Sequence, residues 1–159
     1  MTVFGRRAQR VPRSVDADLD ALIREHGWAV RHVSGSTHEG PFSYTVGLTA
    51  FGLPEIVTTG MPFESSHQFL NLVAQEMRDG YALSHGTRST RFTDSGDVSF
   101  IRVEDARGLT AVRGRYGEVV ALQMLWPDST GAYPWDVGYR NPPDAQPLLG
   151  QLPDTFTLV

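Results

Sequence analysis

The chain is expected to fold as a single α+β domain: a mainly antiparallel sheet of about five or six strands, two principal helices and a long aromatic C-terminal loop. Three observations predict this. Phe42–Leu48 alternates cleanly and meets a turn and a second strand-like run, Glu55–Thr59. Two segments, about Val15–His26 and Phe63–Asp79, carry apolar residues at helical spacing instead. Regular patterning then stops after Trp126, where six of the ten prolines lie: Pro127, Pro134, Pro142, Pro143, Pro147 and Pro153.

In the first helix Val15, Leu19, Leu22 and Ile23 share a face. Ser14 can cap it, Asp16, Asp18 and Asp20 suit its positive end, and Gly27 can supply the residue that stops it. Trp28–Val33 follows as a short strand and Ser34–Pro41 as a loop. In the next strand Phe42, Tyr44, Val46 and Leu48 point one way, and Ser43, Thr45 and Gly47 the other. That second face is small and polar, open to close approach by backbone or ligand. Phe51-Gly52-Leu53-Pro54 turns the chain into Glu55–Thr59, an antiparallel partner.

The second helix has a stripe of Phe63, Leu70, Ala74 and Met77 beside Phe69 and Val73, ended by Gly80. Tyr81–Asp97 is mostly loop or exposed hairpin, and Val98–Val103 alternates as a strand. Glu104–Tyr116 has a short helical pattern through Ala106, Leu109 and Val112, weakened by Gly108. Val119–Leu125 is almost continuously apolar, as a central strand covered on both faces would be. Beyond it Tyr133, Trp135, Tyr139, Leu148 and Leu149 argue for a loop packed on the sheet rather than a disordered tail.

With 159 residues, 40% hydrophobic and 20% charged, the composition is that of an ordinary soluble domain. A net charge of -4 gives no global case for nucleic acid or an anionic membrane, and no apolar run is long enough to span one. The absence of cysteine excludes disulfides, thiolate metal sites and cysteine nucleophiles. Residues 1–13 lack the apolar centre of a signal peptide, so a cytoplasmic location is expected. Their arginines, Arg6, Arg7, Arg10 and Arg13, form a basic, solvated arm ahead of a domain over 14–159. Deleting the arm is expected to leave the melting temperature nearly unchanged.

Three stretches carry a resemblance: Phe42–Leu48, Leu53–Gly60, and Leu122–Asp128 continuing through Pro134-Trp135-Asp136. Together with Gly27-Trp28, Leu70-Asn71 and Gly80, they resemble domain of unknown function 4262, a bacterial family frequent in actinobacteria. The similarity covers roughly residues 27–150 and implies no particular reaction. One departure is visible. The family often has His before Pro-Glu, whereas this chain has Leu53, which removes any role for a histidine at that turn.

Candidate chemistry gathers around the aromatic loop. Trp126, Tyr133 and Trp135 supply flat apolar surface, flanked by Asp128 and Asp136. Two carboxylates sharing a partly apolar site would separate in pKa, the basis of acid–base pairs. Against that, Pro-Asp-Ser-Thr-Gly is a turn signature in which Asp128 bonds backbone amides. Glu55 is equally suited to anchoring a buried network. Gln123, inside an apolar strand, needs partners from a network or a ligand. Of the five histidines, His38 beside Glu39 is best placed to reach a pocket, and none has the spacing of a helical metal pair. There is no Gly-x-Ser-x-Gly elbow, and no cofactor or metal is indicated.

The expected site is a concave pocket between the Trp126–Asp136 loop and the polar face of the Tyr44 strand, with Gln123 and Glu55 at its floor. Tyr44, Thr45, Gln123, Trp126, Tyr133 and Trp135 would bind a small molecule or peptide. In the enzymatic alternative, Asp128, Asp136, His38 and Glu55 would supply acid–base chemistry on a small polar metabolite or peptide. In a third reading the aromatics are hot spots of a protein-interaction module. A homo-oligomer is compatible with any of these, and neither membrane nor nucleic acid is an expected partner.

Overall fold

Phe42–Val46 and Glu55–Thr59, the hairpin foreseen above, form the inner part of a seven-stranded mixed sheet. The computed structural model describes residues 17–35 and 40–159. Strands are β1 (Ala29–Val33), β2 (Phe42–Val46), β3 (Glu55–Thr59), β4 (Thr87–Ser89), β5 (Val98–Arg102), β6 (Ala121–Leu125) and β7 (Thr157–Leu158). Their order across the sheet is β1-β2-β3-β6-β5-β4-β7. The helices are α1, described over residues 17–26, α2 (Phe63–Arg78) and α3 (Thr110–Tyr116). The arm, Val15 and the Ser14 cap lie outside the described residues.

The sheet is larger and less uniform than the expected five or six antiparallel strands. β3 and β6 run parallel, Ile56 opposite Leu122, because α2, β4, β5 and α3 intervene and bring the chain back in the same direction. β7 also pairs parallel with β4. At three and two residues, β4 and β7 are too short to show an alternating pattern.

β6 occupies the centre and all five of its residues are buried, as its apolar run requires. One face is covered by α2, where Leu70, Val73, Ala74 and Met77 meet Ile56, Phe100, Leu122 and Met124. Tyr44, Val46, Val57 and Ala121 line the opposite face against Leu109 and Val112, with Leu19 and Ile23 of α1 packed beside them. The C-terminal loop extends this second layer: Tyr133 packs on Ile101 and Leu125, flanked by Trp135, Leu152 and Phe156.

Two local departures have clear causes. β2 stops at Val46 because Gly47 turns to φ 131°, and a Cβ there would lie 2.5 Å from the Gly27 carbonyl oxygen. Leu48 therefore joins the α2 side of the core instead of following Tyr44 and Val46. The Glu104–Tyr116 helix begins only at Thr110, since the Glu104 and Asp105 amides donate to the Leu149 carbonyl at 2.7 and 2.9 Å. At the start of α2, Phe63 is 47% exposed, and Ser66 takes the first buried position.

Candidate functional site

Glu55, the first residue of β3, is fully buried and surrounded by donors. The Thr45 hydroxyl and Leu48 amide donate to Oε1 at 2.8 and 3.2 Å. The Gly47 and Thr49 amides donate to Oε2 at 3.1 and 2.9 Å, joined by the Thr49 hydroxyl at 2.6 Å. The carboxylate holds the β2–β3 turn in shape. Thr45 is committed to the same network, also accepting from the Ile56 amide at 2.9 Å. Tyr44 is buried beneath α3, its hydroxyl accepting from the Ala111 amide at 3.2 Å.

Gln123 is a network residue. Its amide nitrogen donates to Thr59 Oγ1 and to the Pro147 carbonyl, and its oxygen accepts from the Leu149 amide at 2.7 Å. Residues 145–150 thus form a strap, tied also by Gln146, whose side chain bonds both the N–H and the carbonyl of Trp126. The pocket expected over the Tyr44 strand is therefore filled. α2 seats Ser66 on Ser43 at 2.7 Å on its polar face, while α1 and α3 pack the other.

The aromatic loop divides into two parts. Tyr133, Trp135 and Phe156 form a continuous stack, with centroids 4.8 and 5.6 Å apart, and the Arg88 guanidinium lies over Tyr133 and Phe156. The two neighbouring rings stack on Trp135, and Tyr133 is sealed in the core. Burial, together with a bond to the Asp97 carboxylate at 2.6 Å, pushes the Tyr133 phenol above its ordinary pKa. Asp136 is exposed and caps a turn by accepting from the Tyr133 amide at 2.9 Å.

Trp126 and Asp128 belong elsewhere. They line a cleft of about 400 Å³ with Met61 and Phe69 on one side and the Thr93–Val98 loop on the other. The cleft opens just past the carboxyl ends of the parallel pair β3 and β6, where Met61 and Trp126 follow the last strand residues. The Trp126 indole N–H donates to the Thr59 carbonyl at 3.0 Å, which orients the ring. Asp128 Oδ1 accepts from the Thr130 hydroxyl and the Thr130 and Ala132 amides at 2.6 to 3.0 Å, and Oδ2 accepts from the Arg140 amide at 2.6 Å. The Thr130 hydroxyl chiefly, with these amides, holds its pKa at about 2 against the opposing effect of burial.

The sequence profile of a family described as "Domain of unknown function (DUF4262)" matches residues 22–140. This chain belongs to the DUF4262 family. No curated protein and no solved structure matches it. All the cleft residues named above lie inside the DUF4262 match, whereas the strap at 145–150 lies beyond it.

Of the residues expected to form the DUF4262 site, the structure brings Trp126 and Asp128 to the cleft. Tyr44, Thr45, Glu55, Gln123 and Tyr133 lie in the core, and His38 lies outside the described residues. Sequence reasoning missed Asp97, Met61, Phe69 and Thr93 as cleft residues. Met61 and Phe69 look like core, and the polar Thr93–Asp97 run gave no sign that it faces the Trp126 loop across the sheet. Among the described residues no cluster of His, Asp or Glu could hold a metal, and no helix is long and apolar enough to cross a membrane.

Proposed function

We propose that this domain binds a small molecule or a peptide side chain in the Trp126 cleft, through an apolar group and a cationic or hydrogen-bond-donating head. The cleft itself carries this reading: its volume falls within the range of about 300–1,000 Å³ usual for small-ligand pockets. Met61, Phe69 and Trp126 offer an apolar wall, and the lining contains two carboxylates but no Lys, Arg or His. Asp97 spends one oxygen on the Tyr133 hydroxyl, and its second makes no hydrogen bond among the described residues. A ligand donor can take that place, while Asp128, with three bonds to Oδ1 and one to Oδ2, adds negative potential beside it.

Acid–base catalysis draws less support. Asp128 is held far below neutral pKa, Asp136 is exposed, and Glu55 is buried away from the cleft. The interaction-module reading retains Trp126 but loses Tyr133 and Trp135, which pack on each other.

Titrating isotope-labelled protein with benzylamine, and separately with benzoate, tests the proposal. Benzylamine should shift the Trp126 indole N–H and the amides of Asp97 and Ser129–Gly131 saturably, benzoate should not, and Asp97→Asn should weaken the amine response. Equal responses to both compounds, or none at these positions, would overturn it.

A further inference from the structure

A second opening, of about 480 Å³, lies on the face of the sheet opposite α2, between α1, α3 and the edge strand β1. Its chemistry is the reverse of the first. In register, β1 places Ala29 opposite Val46, Arg31 opposite Tyr44 and Val33 opposite Phe42, so Arg31 sits on the side that packs against α1 and α3. Its neighbours on that face are apolar, yet Arg31 is only half-buried and its side chain has neither an ion pair nor a hydrogen bond among the described residues. Arg115, from α3, lines the same opening and pairs with Asp20 of α1. Among the described residues two guanidinium groups therefore face one carboxylate, leaving an excess positive charge beside low-dielectric core. Such a charge favours an oxyanion, which a planar guanidinium can hold through two parallel N–H bonds.

We propose that this opening is an oxyanion site, taking a carboxylate or phosphate group between Arg31 and Arg115. Asp20 occupies part of the binding capacity of Arg115 and so acts as an internal competitor. Thr110, at the rim, presents a hydroxyl with no hydrogen bond among the described residues, a further donor for the same group.

The test is titration of the full chain with inorganic phosphate and, in a parallel series, acetate, at constant ionic strength made up with chloride. The Nε–H resonances of Arg31 and Arg115 should shift saturably, and whichever anion binds more tightly identifies the ligand class. Arg31→Gln should weaken binding by about tenfold or more. Asp20→Asn should strengthen it, an outcome that a purely structural Asp20–Arg115 pair does not produce. Thermal unfolding of both variants establishes that they are folded. The proposal is overturned if neither anion gives saturable shifts, if Arg31→Gln leaves the affinity unchanged, or if Asp20→Asn weakens it.

Discussion

Asp128 and Glu55 show how one side-chain type can be legible at one position and ambiguous at another. The Pro-Asp-Ser-Thr-Gly run announces a turn, and Asp128 caps it with local amides from Thr130 and Ala132. Glu55 carries no such signature, since its partners at Thr45, Gly47, Leu48 and Thr49 converge only when the hairpin closes. Glu55→Gln exchanges an acceptor-only group for one with an NH2 that must face backbone N–H donors. It should destabilise the fold by about 1–3 kcal/mol or more, measured by urea unfolding. For Asp128, the folded pKa of about 2 lies below the ordinary 3.8, so its ionised form stabilises the native state. That contribution is complete above about pH 5 and is lost as pH falls through the two pKa values. Asp128→Asn should accordingly be less stable than the parent near neutrality, with the difference shrinking toward pH 2, as paired thermal melts across pH would record.

Elements with a clear alternation, helical period or apolar run were legible: β2, β3, β5, β6 and α2 fall within a residue or two of their expected bounds. The strap was not, because residues 145–150 have no repeating pattern; side chains of distant strands hold them. Gln123 hinted at it as a polar residue in an apolar strand, without indicating whether chain or ligand would satisfy it. Two glycines make the close fit possible. A Cβ at Gly60 would lie 1.9 Å from the Ala145 carbonyl oxygen, and one at Gly150 would lie 2.0 Å from that of Arg102. Both contacts are with backbone, so neither can be relieved by rotating a side chain. Gly60→Ala and Gly150→Ala should each cost about 1–3 kcal/mol in chemical denaturation. Gly96→Ala, which meets nothing within 4 Å, is the control expected to remain near the parent.

At the scale of the molecule, strand order was the least legible property. Period-two patterns identify strands but not neighbours, and the parallel β3–β6 pairing depends on where the whole intervening chain is packed. The same limit hid the cleft, whose walls come from the α2 entrance, the β4–β5 loop and the segment after β6. The family match ends at residue 140, yet the strap beyond it satisfies Gln123 and both backbone groups of Trp126. Removing residues 141–159 should therefore lower stability by roughly 3 kcal/mol or more, through stranded polar groups in the central strand. Equilibrium unfolding of the truncated chain would show it, and an unchanged midpoint would mean that water replaces the strap without penalty.

The central position of β6 also has a consequence for the order of events during synthesis. Thr58 of β3 reaches the Met124 carbonyl across 66 residues of chain, so the partner of β3 leaves the ribosome long after the β2–β3 hairpin. Until then β3, whose five residues are buried in the finished protein, presents an open edge. Closing so long a loop is slow compared with local pairing, and the nascent chain must keep that edge from other chains while it waits. Pulse-labelled hydrogen exchange during refolding should find the β3 amides that face β6 protected together with those of β6, and later than the amides of α2.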